Sequence, residues 1–273
     1  MKKITVLCPR TRKILSPEKT SFGRAFSVIF PILVYYIVPA MLVYGFAYLV
    51  HWMSNAGGTF SKAVLFFADH SIALSTIVKA GSLLIGCLIL VPAFLNETPV
   101  FAVHGKRKTD LLLVALLGGI FALVVNSVFS MINITSSTLG IAQETTPLWA
   151  GLFVYGMVSP FTEEVVFRGI VYNRMRRQFL FPVAFMGSLV LFGIYHGNRV
   201  QAVYAIVLGI MITWMYERYG SFWYPVVFHA MANIFVYIGM KVTVLKDWIL
   251  SVPGILINVV LVVLCLKIIC SRK

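Results

Sequence analysis

Two adjacent carboxylates, Glu163 and Glu164, lie inside an apolar run that extends from residue 148 to residue 170. An ionised carboxylate at membrane depth costs several kcal/mol unless it is paired or faces water. The chain has only nine acidic residues, so the placement of two of them here points to a specific chemical role. A carboxylate in a low-dielectric cavity holds its proton more tightly, which suits a general acid or base near neutral pH.

The helical repeat separates the roles of these two carboxylates. Adjacent residues differ by about 100° around a helix, so Glu163 and Glu164 do not face the same partner. Glu164 and Arg168 are four residues apart with the acid first, which is the favourable order for an ion pair on one helix face. We therefore predict that Glu164 braces the fold and that Glu163, which has no local cation, is the candidate acid or base. The alternative, in which both only join helices by hydrogen bonds, stays open.

Two further pairs of residues place polar side chains in apolar segments. Phe192 and His196 are one helical turn apart, and so are His229 and Asn233. Alone, His196 is typical of a helix end, but beside an intramembrane glutamate it is a candidate for polarising a water molecule. His229 and Asn233 both donate hydrogen bonds, so they could stabilise an oxyanion. They could equally join their helix to a neighbour.

The segments that carry these residues belong to a membrane protein. Hydrophobic residues make up 60% of the chain and charged residues only 12%, unlike a soluble domain. We predict an all-α, polytopic membrane helix bundle with about eight transmembrane helices. The predicted spans are residues 25–50, 71–95, 111–132, 148–170, 179–196, 200–216, 222–240 and 248–269.

Basic residues cluster at alternate ends of these spans, which predicts that both termini are cytosolic. Residues 1–24 form a basic cytosolic arm, and residues 25–273 form a single transmembrane domain with a motif region at 148–240. The net charge of +14 is spread between apolar runs, which excludes a nucleic-acid partner and leaves the lipid bilayer. The four cysteines form no metal-binding or disulfide pattern. We expect neither a prenylation box at the C-terminus nor a cleavable signal at the N-terminus.

Taken together, Glu-Glu-x-x-x-Arg, Phe-x-x-x-His and His-x-x-x-Asn, in this order on separate spans, resemble the CPBP intramembrane protease family. That family includes the type II CAAX prenyl endopeptidases and bacterial relatives linked to bacteriocin immunity. The resemblance covers residues 148–240. It implies that Glu163 and His196 activate a water molecule and that His229 and Asn233 form an oxyanion hole. It places Glu164, Arg168 and Phe192 in supporting positions.

The expected function is therefore an intramembrane glutamic-type endopeptidase that acts on prenylated or other membrane-associated peptides. The resemblance implies no cofactor, and the chain has no HExxH motif, although a zinc site of two histidines and one glutamate stays an alternative. Glu163 and His229 lie in the inner half of their spans, so we expect the site on the cytosolic side of a bacterial plasma membrane. An immunity or regulatory protein of the same fold and a proton-coupled transporter are the alternatives, and the absence of an internal repeat counts against the transporter.

Overall fold

The computed structural model describes residues 21–56, 58, 60–99, 108–132 and 146–271. Most of the predicted basic arm therefore lies outside the described residues. The described part contains helices and no strands, which confirms the predicted all-α fold. We number the helices α1 (Ser21–Asn55), α2 (Ser61–Asp69), α3 (Ser71–Leu95), α4 (Lys108–Met131), α5 (148–178), α6 (Phe181–Tyr195), α7 (Arg199–Tyr219), α8 (Trp223–Lys241), α9 (Thr243–Leu250) and α10 (Val252–Ser271).

Five of the described helices, α1, α3, α4, α7 and α10, are long and apolar enough to cross a membrane. A sixth span results if α8 and α9, which meet at 109°, are counted together. The protein is therefore a helical membrane bundle, as predicted. Helix α6 is shorter than these five helices, and α5 is interrupted by two π-helical stretches. The count of eight spans therefore stays a prediction, as does the side of the membrane on which the termini lie.

Two predicted links contain helix. The predicted spans leave residues 51–70 as a link between the first two, but α1 continues to Asn55 and α2 occupies most of the remainder. They also leave residues 241–247 as a link, but this segment is largely α9, so the last long helix begins at Val252 rather than at residue 248. This later start has a local cause, because the Ser251 hydroxyl accepts a hydrogen bond of 3.2 Å from the Gly254 N–H and so caps the helix.

The bundle has two apolar cores that divide it into halves. One core is built mainly from α1, α3, α5 and α6, and the other from α4, α7, α8 and α10. Helices α5 and α8 pack against each other where the halves meet. Gly156 permits this approach, because a Cβ atom there would lie 2.7 Å from Cγ1 of Ile234. The motif residues on α5 and α8 therefore face each other at this seam.

Ion pairs tie several helices together at one end of the bundle. Glu97, just after α3, lies 2.7 Å from Nε of Arg174 and 2.5 Å from Nη1 of Arg177. Arg176 is paired at 2.6 Å with Glu217 of α7. We call these five residues the rim cluster. It brings the ends of α3, α5 and α7 to the same end of the bundle.

Candidate active site

The motif residues of α5 and α8 meet through His229. Its Nδ1 atom lies 2.8 Å from Oε1 of Glu164, and Arg168 Nη1 lies 3.1 Å from the same oxygen. A carboxylate paired with an arginine is ionised and only accepts hydrogen bonds, so Nδ1 of His229 carries the hydrogen. Glu164 and its partner Arg168 are deeply buried, with exposed fractions of 0% and 2%.

Glu163 lies on the other side of the same imidazole. Its Oε2 atom is 3.8 Å from Nε2 of His229, and its Oε1 atom accepts a hydrogen bond from Ser159 Oγ. The two carboxylates thus face different nitrogens of one ring, and we call this arrangement the carboxylate–histidine bridge. The predicted pairing of Glu164 with Arg168 is present. What the sequence did not indicate is that Glu164 also reaches across the seam to α8.

Phe192 covers the charged side of this bridge. The guanidinium of Arg168 lies over its ring at 4.4 Å from the centroid. The rings of His196 and His229 approach the Phe192 ring edge-on, at 4.9 and 6.0 Å between centroids. Cation–π contacts of this kind are worth about 2 kcal/mol or more when desolvated. Phe192 thus contacts the arginine and both predicted histidines.

His196 ends α6 instead of bonding to a carboxylate. Its Nδ1 atom donates to the carbonyl oxygen of Phe192 at 2.8 Å, which leaves Nε2 as the ring nitrogen open to the surroundings. The chain then turns through Gly197, whose φ of 67° favours glycine, and Asn198 caps α7. Helices α6 and α7 are therefore joined by a tight turn. Within the described residues the contacts of His196 include none with Glu163.

Asn233 is held by a carbonyl oxygen that helix α5 leaves free. Residues Leu152–Val158 are π-helical, and the Ser159 N–H bonds to Val154 instead of to the carbonyl of Tyr155. The π-helical partner of that carbonyl would be the N–H of residue 160, which is a proline and has none. Nδ2 of Asn233 donates to the unused oxygen at 2.8 Å. One amide hydrogen of Asn233 remains for another acceptor.

Three site residues were missed by the sequence reasoning: Ser159, Tyr155 and Tyr35. The four-residue spacing of Ser159 and Glu163 is a signal that could have revealed the first. Tyr155 acts through its main chain, for which the proline five residues later is the signal. Tyr35 comes from α1, with its hydroxyl 2.5 Å from Oγ1 of Thr162, the residue before Glu163. No motif links α1 to α5, so only the fold reveals Tyr35.

The described side chains do not fit a zinc site. Among the residues in the described ranges, no three histidine, cysteine, aspartate or glutamate side chains converge as metal ligands. Glu164 and His229 use their facing atoms for each other, and His196 bonds its own helix. We therefore derive no step through a metal.

Comparison with known proteins agrees with the three motifs. Residues 145–235 match the model of the family described as type II CAAX prenyl endopeptidase Rce1-like. The chain is also 27% identical over 167 residues to the Bacillus subtilis protein named "Putative membrane peptidase YdiL". The alignment covers 56% of this chain and 68% of that protein. No solved structure matches significantly. These matches confirm the family resemblance that the motifs predict.

Proposed function

We propose that this membrane protein, whose motif region is that of the type II CAAX prenyl endopeptidase Rce1-like family, is a glutamic-type intramembrane endopeptidase. The observation that carries the proposal is the carboxylate–histidine bridge. Glu164 is paired with Arg168 and bonded to His229 through Oε1, and its other oxygen is fully buried. Glu163 is 7% exposed, and its Oε2 is 3.8 Å from the nearest ring nitrogen, so Glu163 is the carboxylate that a reactant can reach.

In the proposed reaction Glu163 takes a proton from a water molecule that Nε2 of His196 orients. The resulting hydroxide forms a bond to the scissile carbonyl carbon, and the carbonyl π electrons move onto oxygen. Collapse of the tetrahedral intermediate breaks the C–N bond, and Glu163 returns the proton to the leaving amine. Ser159 fixes the rotamer of Glu163 through its hydrogen bond to Oε1.

The oxyanion is proposed to lie between His229 and Asn233. Asn233 has one amide hydrogen left after its bond to the Tyr155 carbonyl. His229 gives its Nδ1 hydrogen to Glu164, so it donates from Nε2 only as an imidazolium. A positive His229 would also balance the charge of this buried cluster, which otherwise has two carboxylates and one arginine.

The proposed substrates are membrane-associated peptides, including prenylated ones of the CAAX type. We place the enzyme in a bacterial plasma membrane, with its site towards the cytosol. The basis for the location is the distribution of basic residues and the inner-half position of Glu163 and His229. Among the described residues, no specific contact favours an immunity function or proton transport.

The test is peptide cleavage by purified protein in detergent. A farnesylated, fluorogenic CAAX-type peptide is incubated with wild type, Glu163→Ala and His196→Ala, and products are identified by mass spectrometry. We expect cleavage by wild type alone. Equal cleavage by all three proteins contradicts the catalytic roles of Glu163 and His196. No cleavage by any of them contradicts the protease proposal and leaves the immunity and transport alternatives. A strong chelator is expected to leave the rate unchanged, and a loss that added zinc restores would favour the metal mechanism.

A further inference from the structure

One buried tyrosine of α1 contacts the residues that immediately precede Glu163 and His196. Tyr35 is fully buried, and its hydroxyl lies 2.5 Å from Oγ1 of Thr162, the residue before Glu163. Its ring stacks on that of Tyr195, the residue before His196, with 5.4 Å between the centroids. A single side chain therefore connects the two helices that carry the proposed water-activating pair.

The hydrogen bond between α1 and α5 runs from Tyr35 to Thr162. The Thr162 hydroxyl has one hydrogen, and its oxygen lies 2.9 Å from the carbonyl oxygen of Val158 and 3.1 Å from that of Ser159. Since a carbonyl oxygen only accepts, Thr162 donates to this backbone, and the Tyr35 hydroxyl donates to Thr162. The chain of bonds thus ends on the part of α5 in which the Ser159 side chain holds Glu163.

This part of α5 is a short helical segment with irregular neighbours. Ser159–Glu164 is an α-helical segment of six residues between two π-helical stretches, Leu152–Val158 and Val165–Tyr172. Because a π-helical stretch changes the number of residues per turn, the direction of Glu163 depends on where each stretch begins and ends. A contact from another helix can fix that direction, and Tyr35 supplies one at the residue next to Glu163.

From these contacts we propose that Tyr35 is a positioning residue for the cleavage reaction. It sets the separation of Glu163 and His196 so that one water molecule can contact both side chains. Its hydroxyl fixes the short segment of α5, and its ring fixes the end of α6. The inference rests on the proposed protease function and adds that α1, which lies outside the matched residues 145–235, completes the active site.

The competing explanation is that Tyr35 only joins α1 to the bundle. Helix α1 is already held beside the rim cluster, about 12 Å along the helix from Tyr35. There Nη1 of Arg174 donates to the Ser27 carbonyl at 2.6 Å, and Nε2 of Gln178 donates to the Ser27 hydroxyl at 3.3 Å. Helix α3 also packs along α1. Loss of one hydroxyl should therefore leave α1 in place, so that an effect on the rate reports on the site.

The experiment compares Tyr35→Phe with Tyr36→Phe, using purified protein in detergent and a farnesylated, fluorogenic CAAX-type peptide. Tyr35→Phe keeps the stacked ring and removes only the hydroxyl, so we expect kcat to fall by about 10- to 100-fold. KM and the unfolding temperature should stay close to the wild-type values. Tyr36 is the matched control, because its ring also approaches that of Tyr195, at 6.3 Å between centroids, but Tyr36 is 57% exposed. Tyr36→Phe should leave kcat unchanged.

Thr162→Val tests the same hydrogen bond from its other partner. It should lower kcat by a factor similar to that of Tyr35→Phe. The double variant Tyr35→Phe/Thr162→Val should lower kcat little further, because both substitutions remove one bond. Tyr35→Leu also loses the stacking on Tyr195, so its kcat should be lower than that of Tyr35→Phe. The phenyl ring thus restores part of the rate.

Three results would overturn the positioning role. They are an unchanged kcat in Tyr35→Phe, an equal loss of kcat in Tyr36→Phe, and losses of kcat that add in the double variant. A fall confined to the unfolding temperature is the first of these results and would favour the competing explanation.

Hydrogen exchange of the amides of residues 159–164 tests the contact without cleavage. Exchange should be faster in Tyr35→Phe than in wild type and Tyr36→Phe, because the short segment of α5 loses its support. If wild type cleaves nothing, the protease proposal is wrong and exchange alone decides the contact. Faster exchange would then show that Tyr35 holds the segment that carries Glu163, and unchanged exchange would overturn that role as well.

Discussion

Arginine–glutamate pairs occur both at the seam and in the rim cluster, but their surroundings differ. The rim cluster has three arginines for two glutamates, and its arginines are partly exposed, with Arg177 at 26%. At the seam two glutamates share one arginine, Arg168, which is 2% exposed. The rim has surplus positive charge where solvent can screen it, whereas the seam has surplus negative charge where it cannot.

This difference shows why an ion pair alone does not identify an active site. At the rim, exchanging a charge for a neutral polar group removes a contact that water can replace. At the seam, Glu164 and Arg168 hold each other in a buried pair, so changing either of them leaves an uncompensated ion. The carboxylate left over after this pairing, Glu163, is the feature that the rim lacks.

The largest effect is expected from Glu164→Gln. The substitution leaves Arg168 buried without its carboxylate and weakens the bond that orients His229, so we expect a destabilisation of about 3–5 kcal/mol together with loss of cleavage. Thermal unfolding in detergent and peptide cleavage measure the two effects. Glu163→Gln is the matched control, which should lose cleavage but unfold close to the wild-type temperature. If the two variants unfold alike, the proposed division of roles between the carboxylates is wrong.

Asn233→Ala should come next, with an effect on rate and little on stability. Loss of one oxyanion donor typically lowers the rate by about 10²–10³. The measurement is kcat for the cleaved peptide, with KM and the unfolding temperature as controls. A change confined to KM would mean that Asn233 positions the peptide and does not stabilise the oxyanion.

Much of the site follows from sequence because its signals are local. The pairing of Glu164 with Arg168 needs only the four-residue spacing on one helix, and the structure contains it at 3.1 Å. The turn at Gly197 and the all-α bundle likewise follow from residue types and apolar runs. Whether Glu163, His196, His229 and Asn233 have the predicted catalytic roles stays a prediction.

The contacts between helices could not be derived in the same way. Glu164 with His229, Asn233 with the Tyr155 carbonyl and Lys79 with the Tyr155 hydroxyl each join residues at least 65 positions apart. Their formation depends on the packing of α3, α5 and α8, which apolar periodicity does not specify when every helix is apolar on most sides. The π-helical turns of α5 also depart from a regular repeat of 3.6 residues, so the directions of its side chains cannot be read from that repeat.

Pro160→Ala tests one of those turns. It restores an N–H at the position where the free carbonyl of Tyr155 would find a partner in the helix. That N–H would compete with Asn233, so we expect cleavage to fall by about tenfold, less than the loss of the amide itself. Hydrogen exchange of the new amide, read together with the rate, distinguishes competition from a general loosening of α5. A protected amide with an unchanged rate would show that the Tyr155 carbonyl does not orient Asn233.

The smallest effect is expected from Arg177→Gln in the rim cluster. Glu97 keeps its pair with Arg174 at 2.7 Å, and the lost charge is partly exposed, so we expect about 0.2–1 kcal/mol of destabilisation and unchanged cleavage. Unfolding temperature and kcat/KM measured on the same preparation check both parts. The Arg177–Glu97 distance of 2.5 Å at the rim is shorter than the Arg168–Glu164 distance of 3.1 Å at the seam. If distance alone set the strength of a pair, Arg177→Gln would destabilise the protein at least as much as Glu164→Gln. A loss of cleavage in Arg177→Gln would mean that the rim controls the seam through α5, because that helix carries both Arg177 and Glu163.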